Sequence, residues 1–125
     1  MLTLIVTSYT VDRLNDIIKL LESVKAQTYK NVEVTIVIEG SRELFDRLED
    51  YKEINAFHGL KLIFLDSRQG ASFARNIGVK EESGEIVAFV DDDVVLSQDW
   101  AENLVKPYRL NSVVGVTGQV LPLFE

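Results

Sequence analysis

The sequence has no cysteine, a single histidine and no long apolar run. The absence of cysteine excludes disulfides, zinc-thiolate sites and thiol nucleophiles. No apolar stretch approaches the roughly 20 residues that span a bilayer, so we expect no membrane span in this chain. The first six residues lack the basic stretch of a secretory signal, and we therefore expect a cytoplasmic protein.

Basic side chains are also scarce, since 13 lysines and arginines stand against 20 acidic residues and the net charge is −7. Such a surface repels phosphate backbones and anionic lipid head groups, which disfavours nucleic acid and membrane surfaces as partners. A phosphorylated ligand would need local neutralisation from helix N-termini, a few arginines or a divalent cation.

The remaining composition is that of an ordinary globular protein, with 46% hydrophobic and 26% charged residues among 125. This length is enough to bury one core and leaves little room for a second. We expect a single domain over residues 1–125.

Apolar runs rich in β-branched residues alternate with stretches of helical periodicity. Five runs predict strands, namely Leu2–Val6, Val32–Ile38, Leu60–Leu65, Ile86–Val90 and Val113–Leu121. Alternating strands and helices are typical of βαβ units, so the expected fold class is α/β. Its expected architecture is a Rossmann-like three-layer αβα arrangement with a mainly parallel sheet.

Helix caps and helix faces can also be read from the sequence. Asp12, Ser41 and Ser97 are the expected caps of the first, second and fourth helices. The apolar face of the first helix is expected to comprise Leu14, Ile17, Ile18, Leu21 and Val24. The third helix begins near Gly70, and its small residues Ala74 and Gly78 predict a close approach to the sheet.

The residues that follow the strands are the place to look for chemistry, because ligands of parallel sheets bind beyond the carboxyl ends of the strands. Hydroxyls, carboxylates, an aromatic ring and an arginine are expected to converge there. These strand tips are Thr7-Ser8-Tyr9, Glu39-Gly40-Ser41, Asp66-Ser67-Arg68 and Asp91-Asp92-Asp93.

Three consecutive aspartates after a buried strand repel one another, and a cation is the natural way to keep them ionised. Their hard oxygen atoms suit magnesium, manganese or calcium. One aspartate can ligate the metal while another accepts hydrogen bonds from sugar hydroxyls. The competing interpretation is a solvated acidic turn that caps the following helix.

Each of the other residues that follow the strands can be interpreted in two ways. Tyr9 can stack on a planar base and Thr7 can hydrogen-bond its edge, or both can belong to an ordinary turn. Glu39 can accept a proton from a pyrimidine imide or lie in water. Arg68 and Arg75 can face a diphosphate or be surface cations.

Two further side chains are expected to have no role in the chemistry. His58 is expected to be solvent-exposed, because it lies in a polar connection between elements. Trp100 is expected to belong to the core, because it lies on an apolar helical face.

Three other enzyme and signalling classes fit the sequence less well. Asp91-x-Asp93-x-Val95 resembles the nucleophile loop of haloacid-dehalogenase-like phosphatases, but too few residues follow it for that family's lysine and second acidic pair. Receiver domains need an acidic pair after the first strand and a lysine after the last, and neither is present. Sugar nucleotidyltransferases usually have a glycine-rich loop after the first strand, whereas residues 7–11 contain no glycine.

Five segments, in this order and spacing, resemble family 2 glycosyltransferases of the GT-A fold. They are residues 5–9, residues 21–29, Glu39-Gly40-Ser41, Ala74-Arg75-Asn76-Ile77-Gly78, and Gly84-Glu85 leading to Asp91-Asp92-Asp93. The resemblance covers essentially the whole chain.

The resemblance implies an inverting transferase whose donor is a nucleotide diphosphate sugar, commonly a uridine one, bound with Mn²⁺ or Mg²⁺. It places Asp93, with Asp91, at the metal. The implied nucleotide-binding residues are Thr7, Ser8, Tyr9, Glu39, Arg75, Asp91 and Asp92. The acceptor, a glycan, lipid or protein, is not indicated.

The sequence departs from the family pattern in three places. Ile38 and Glu39 stand where two acids are common before Gly-Ser, which leaves base preference open, and Thr10 replaces the usual asparagine. The chain ends at Glu125, before the family's acceptor half, where the general base is expected. A non-catalytic nucleotide-sugar-binding module, or a partner subunit without that base, is therefore the alternative.

Overall fold

Strands and helices alternate throughout the computed structural model, which describes residues 2–80, 86–111 and 116–119. The strands are β1 (Leu2–Ser8), β2 (Val32–Glu39), β3 (Leu60–Leu65), β4 (Ile86–Phe89) and β5 (Val116–Gln119). The helices are α1 (Leu14–Lys25), α2 (Arg42–Ile54), α3 (Ala71–Lys80) and α4 (Trp100–Asn111). The predicted alternation is confirmed. Residues 113–115 and 120–121 of the fifth predicted strand lie outside the described ranges.

The sheet has the order β3-β2-β1-β4-β5, and all four strand pairs are parallel. The chain builds outward from β1 to β3, then returns past β1 to place β4 and β5 on its other side. The order therefore reverses between β1 and β4. In open parallel sheets the ligand crevice lies at such a reversal, beyond the carboxyl ends of the strands.

Helices cover both faces of the sheet, as the three-layer prediction requires. Buried residues of α1, α2 and α4, such as Leu21, Leu48 and Trp100, form one core with Leu4 of β1 and Ile36 of β2. Helix α3 lies on the opposite face. None of the helices in the described ranges has the length and apolar content needed to cross a bilayer.

The close approach of α3 to the sheet depends on its small residues. Ala74 is fully buried. A Cβ atom added at Gly78 would lie 2.8 Å from Cγ2 of Ile5 and 3.5 Å from Cγ2 of Val37. The first distance is too short for two carbon atoms, so a larger side chain would have to push the helix away. This confirms the role predicted for the pair.

The cap predicted for the first helix is wrong. The Thr10 hydroxyl accepts from the Asp12 amide and caps a short 3-10 turn, Val11–Arg13, and α1 then begins at Leu14 with Arg13 at its N-cap and no side-chain cap bond. The apolar face of α1 faces the core as predicted, with Leu14 and Ile18 half-buried and the other three predicted residues buried, and Leu20 is a further buried member.

Replacing Gly78 by valine is expected to lower the free energy of unfolding by about 1–3 kcal/mol, because the added carbons overpack the contact with Ile5. Asn76→Val is the matched control, since Asn76 is an exposed position of the same helix, and it should change stability by less than about 0.5 kcal/mol. Urea denaturation of both variants measures the difference. Equal stability of the two would contradict the close approach of α3.

Candidate functional site

The carboxyl ends of β1 and β4 bring together a serine and an aspartate that are far apart in the sequence. Strands β1 and β4 pair from Leu2 with Ile86 to Ile5 with Phe89, and Ser8 and Asp92 keep the same offset of 84 residues. The Ser8 hydroxyl donates to Oδ2 of Asp92 at 2.8 Å. Parallel pairing thus delivers the second aspartate to the end of β1.

Asp92 is the least exposed member of the aspartate triplet. Its side chain keeps 16% of its surface accessible, against 50% for Asp93, and Asp91 is exposed. Burial raises the pKa of Asp92 above its usual range, and the charges of Asp93 and Asp91 act in the same direction. The hydrogen bond from Ser8 and the guanidinium of Arg13 oppose that rise.

Arg13 is the cation that faces the triplet, and sequence reasoning missed it. Its Nη1 donates to Oδ2 of Asp93 at 3.3 Å, and its Nε lies 3.9 Å from Oδ1 of Asp92. Asp92 is the main cause of a raised pKa at Arg13. The signal that could have found it is local, because the 3-10 turn after β1 ends at Arg13, beside the strand tip.

The acidic turn is where the sequence predicted a metal ion. Asp92 and Asp93 converge on one cation, as predicted for at least two of the three aspartates, but that cation is the guanidinium of Arg13. Across the described ranges, no group of three or more acidic, histidine or cysteine side chains is arranged to hold a metal ion. A divalent ion would therefore complete its oxygen ligands with water and phosphate, as Mg²⁺ commonly does.

Tyr9 and Arg68 form a stack beside this turn. Tyr9 follows β1 and its ring is half-exposed. The Cζ atom of Arg68 lies 3.6 Å from the centroid of this ring. The backbone of Arg68 lies near Gly40 at the end of β2, so the arginine crosses from β3 over the tip of β2 to β1. A cation at this distance is attracted by the ring and covers one of its faces.

Glu39 is buried rather than solvated, with 4% of its surface accessible. Its Oε1 atom accepts hydrogen bonds from the amides of Gln69 at 2.7 Å and Gly70 at 2.9 Å. These amides directly precede α3, where the partial positive charge of the helix N-terminus favours a carboxylate. Glu39 therefore fixes the segment that carries Arg68 and the start of α3.

The remaining predicted residues occupy different places. Thr7 is half-buried in β1, directly before Ser8, the last residue of the strand. The guanidinium of Arg75 lies 5.7 Å from the centroid of the Phe89 ring in β4, so the structure shows this side chain against the sheet. His58 is exposed and Trp100 is buried, as predicted.

A hollow of about 460 Å³ lies away from the strand tips, on α2. Four carboxylates and one lysine line it, namely Asp46, Glu49, Asp50, Glu53 and Lys52. Such a lining repels phosphate groups. The ends of β1 and β4 also carry aspartates, but Arg13 faces two of them and Arg68 lies over Tyr9, so this end of the sheet is the better candidate for an anionic ligand.

Similar proteins are known at the levels of sequence and structure. The chain is 36% identical over 121 residues to glucosyl-dolichyl phosphate glucuronosyltransferase of Haloferax volcanii, covering 96% of this chain and 38% of that protein. The mannosyltransferase PcManGT from Pyrobaculum calidifontis, solved with GDP-Man and Mn²⁺, superposes with a TM-score of 0.77 at 26% identity, over 86% of this chain and 32% of that one.

A further solved structure, S. aureus TarS in complex with UDP, has a TM-score of 0.74 at 24% identity and shares the fold, over 89% of this chain and 32% of that one. The chain thus spans about a third of the length of these proteins. The model of the family described as glycosyl transferase family 2 matches residues 3–123. With the parallel sheet and the acidic turn at its point of reversal, this match shows that the chain belongs to glycosyl transferase family 2.

Proposed function

We propose that this chain binds the nucleotide diphosphate sugar donor of an inverting glycosyltransferase. The observation that carries the proposal is the Ser8–Asp92 bond, which holds an acidic turn in the crevice between β1 and β4. Similar proteins were solved with UDP and with GDP-Man and Mn²⁺. We take a uridine diphosphate sugar as the first donor to test.

In this proposal each aspartate of the turn has its own task. Exposed Asp93, together with Asp91, would hold the divalent ion. Asp92 is held by Ser8 and accepts hydrogen bonds from the ribose. A bound divalent ion offsets the charge that develops on the departing diphosphate, acting as a Lewis acid and a template.

The base is proposed to bind between Thr7, Tyr9 and Glu39. Arg68 now covers one face of the Tyr9 ring, so a base that stacks on that face must displace the guanidinium toward the diphosphate. One oxygen of Glu39 accepts from two amides, and the other is the one proposed to read the base edge. Arg75, whose guanidinium lies near the Phe89 ring, is proposed as a further nucleotide-binding residue.

Transfer to an acceptor is proposed for a longer protein, because the relative from Haloferax volcanii is matched over 38% of its length. The general base would follow residue 125. This base would deprotonate the hydroxyl of the acceptor, which is a glycan, a lipid or a protein. The tests below therefore measure donor binding.

Asp93→Ala is expected to weaken Mn²⁺-dependent binding of UDP by at least about 10-fold, since even groups that merely orient metal ligands have effects of this size. The fold should persist because Asp93 is half-exposed. Isothermal titration calorimetry measures the affinity. Asp50→Ala, the same charge change on α2, is the control, and an unaltered affinity in Asp93→Ala would contradict the assignment.

Mn²⁺ and the diphosphate are expected to bind cooperatively, because the acidic turn supplies part of the ligand set. Saturating UDP should tighten Mn²⁺ binding by about 5- to 150-fold, the usual range of such coupling, and Mn²⁺ should tighten UDP binding equally. Uridine, which lacks phosphates, is the control ligand. Tight Mn²⁺ binding without nucleotide would argue against a metal shared with the diphosphate.

Asp92→Asn is expected to stabilise the chain at pH 7 while it weakens nucleotide binding. Burial raises the pKa of Asp92, so the folded chain binds this proton more tightly than the unfolded chain. Wild-type stability must then fall as the pH rises through the interval between the unfolded and folded pKa values. Asparagine removes the charge and still accepts from Ser8.

The gain from Asp92→Asn should therefore appear at pH 7 and disappear near about pH 3, below the usual pKa of aspartate. Denaturant unfolding at the two pH values measures it. Exposed Asp50→Asn is the control and should show no such gain. If Asp92→Asn is less stable than wild type at pH 7, the charge of Asp92 does not lower the free energy of unfolding, and the prediction is wrong.

A further inference from the structure

The segment that follows the acidic turn is fastened to the end of α1 by two buried polar side chains, Ser23 and Gln27. Gln27 has 1% of its surface accessible, and Ser23 has 9%. Both belong to residues 21–29, which the sequence singled out for their pattern and to which the proposed function gives no task.

Gln27 uses both ends of its amide. Its Nε2 donates to the carbonyl of Ser97 at 2.6 Å and to that of Ser23 at 3.0 Å. Its Oε1 accepts from the amide of Ala101 at 2.9 Å, in the first turn of α4. Ser97, the expected cap of this helix, instead donates its hydroxyl to the carboxylate of Asp99.

Ser23 contacts the part of this segment that is nearer in sequence to the aspartates. Its hydroxyl accepts from the amide of Leu96 at 3.1 Å and donates to the carbonyl of Leu20 at 2.6 Å. Leu96 is itself buried in the core. A third link joins the backbones directly, from the amide of Thr28 to the carbonyl of Gln98 at 2.8 Å.

These bonds fix the far end of the acidic turn. Its near end is fixed by the sheet, where the amide of Val90 donates to the carbonyl of Ile5 at 3.0 Å. Residues 91–95 therefore span two anchored points, and Ser23 holds the point three residues beyond Asp93. The path of the turn depends on both anchors, because so short a segment has little freedom between them.

We infer that Ser23 and Gln27 are positioning residues of the donor site, which set where Asp91, Asp92 and Asp93 stand relative to Ser8. The inference rests on the proposed function. An apolar side chain would fill the volume of Gln27 without the cost of burying an amide. A buried amide whose hydrogen bonds are all formed, such as that of Gln27, instead restricts the surrounding core to one arrangement.

The test compares Ser23→Ala and Gln27→Met with wild type. Gln27→Met keeps the shape of the side chain and loses the hydrogen bonds, while Ser23→Ala removes one hydroxyl. Both should speed amide hydrogen exchange of residues 92–96. Both should also weaken Mn²⁺-dependent UDP binding by about 10- to 100-fold, as for other groups that orient metal ligands.

Two controls separate positioning from general loss of stability. Ser23→Thr retains the hydroxyl and should restore most of the affinity. Leu48→Ala removes buried carbon atoms from α2, on the same face of the sheet but remote from the turn, and should lower stability without changing affinity or exchange in residues 92–96. Ser23→Ala alone suffices for the comparison if Gln27→Met does not fold.

Three results would overturn the inference: unchanged exchange in the turn, unchanged affinity in the folded variants, or an equal loss of affinity in Leu48→Ala. Failure of the proposed function gives a different result, because wild type itself would then bind neither UDP nor GDP in the presence of Mn²⁺. The two failures are thus distinguished by the wild-type titration.

Discussion

The electrostatics of the site follow from the position of one carboxylate, Asp92, at the end of a buried parallel strand. Removal from water raises its free energy when charged, and two neighbouring aspartates add to that cost. The Ser8 hydroxyl and the Arg13 guanidinium offset part of it from β1 and from the turn that follows. In the proposed function this remaining negative charge is what attracts a divalent cation.

The architecture provides this position through the order of its strands. Because the chain adds β2 and β3 on one side of β1 and β4 on the other, the tips of β1 and β4 become neighbours although 84 residues separate Ser8 from Asp92. Helix α3 makes the long crossover possible. Its glycine and alanine let it lie close against β1 and β2, where a larger side chain would meet Ile5.

Most strands could be predicted because they are buried on both faces, which leaves uninterrupted apolar runs that few other structures explain. Asp12 was mistaken for the cap of α1 because a 3-10 turn and an α-helix share the same local signals, and the capped 3-10 turn Val11–Arg13 precedes α1. The contacts of Arg13 and Gln27 could not be predicted for a different reason. Their partners lie 70 to 80 residues away in sequence, and no local pattern encodes such a pairing.

The sequence by itself determined the layers, the strands and the place of the acidic turn, because these depend on the periodicity of apolar residues and on carboxylates directly after a strand. Tertiary structure decided which partner each of these charged groups meets. Glu39 became a buried acceptor for the segment before α3, Arg68 came to lie over Tyr9, and Arg13 came to face two aspartates. Hydrogen bonds and ion pairs act over a few ångströms, so they depend on distances that exist after the chain has folded.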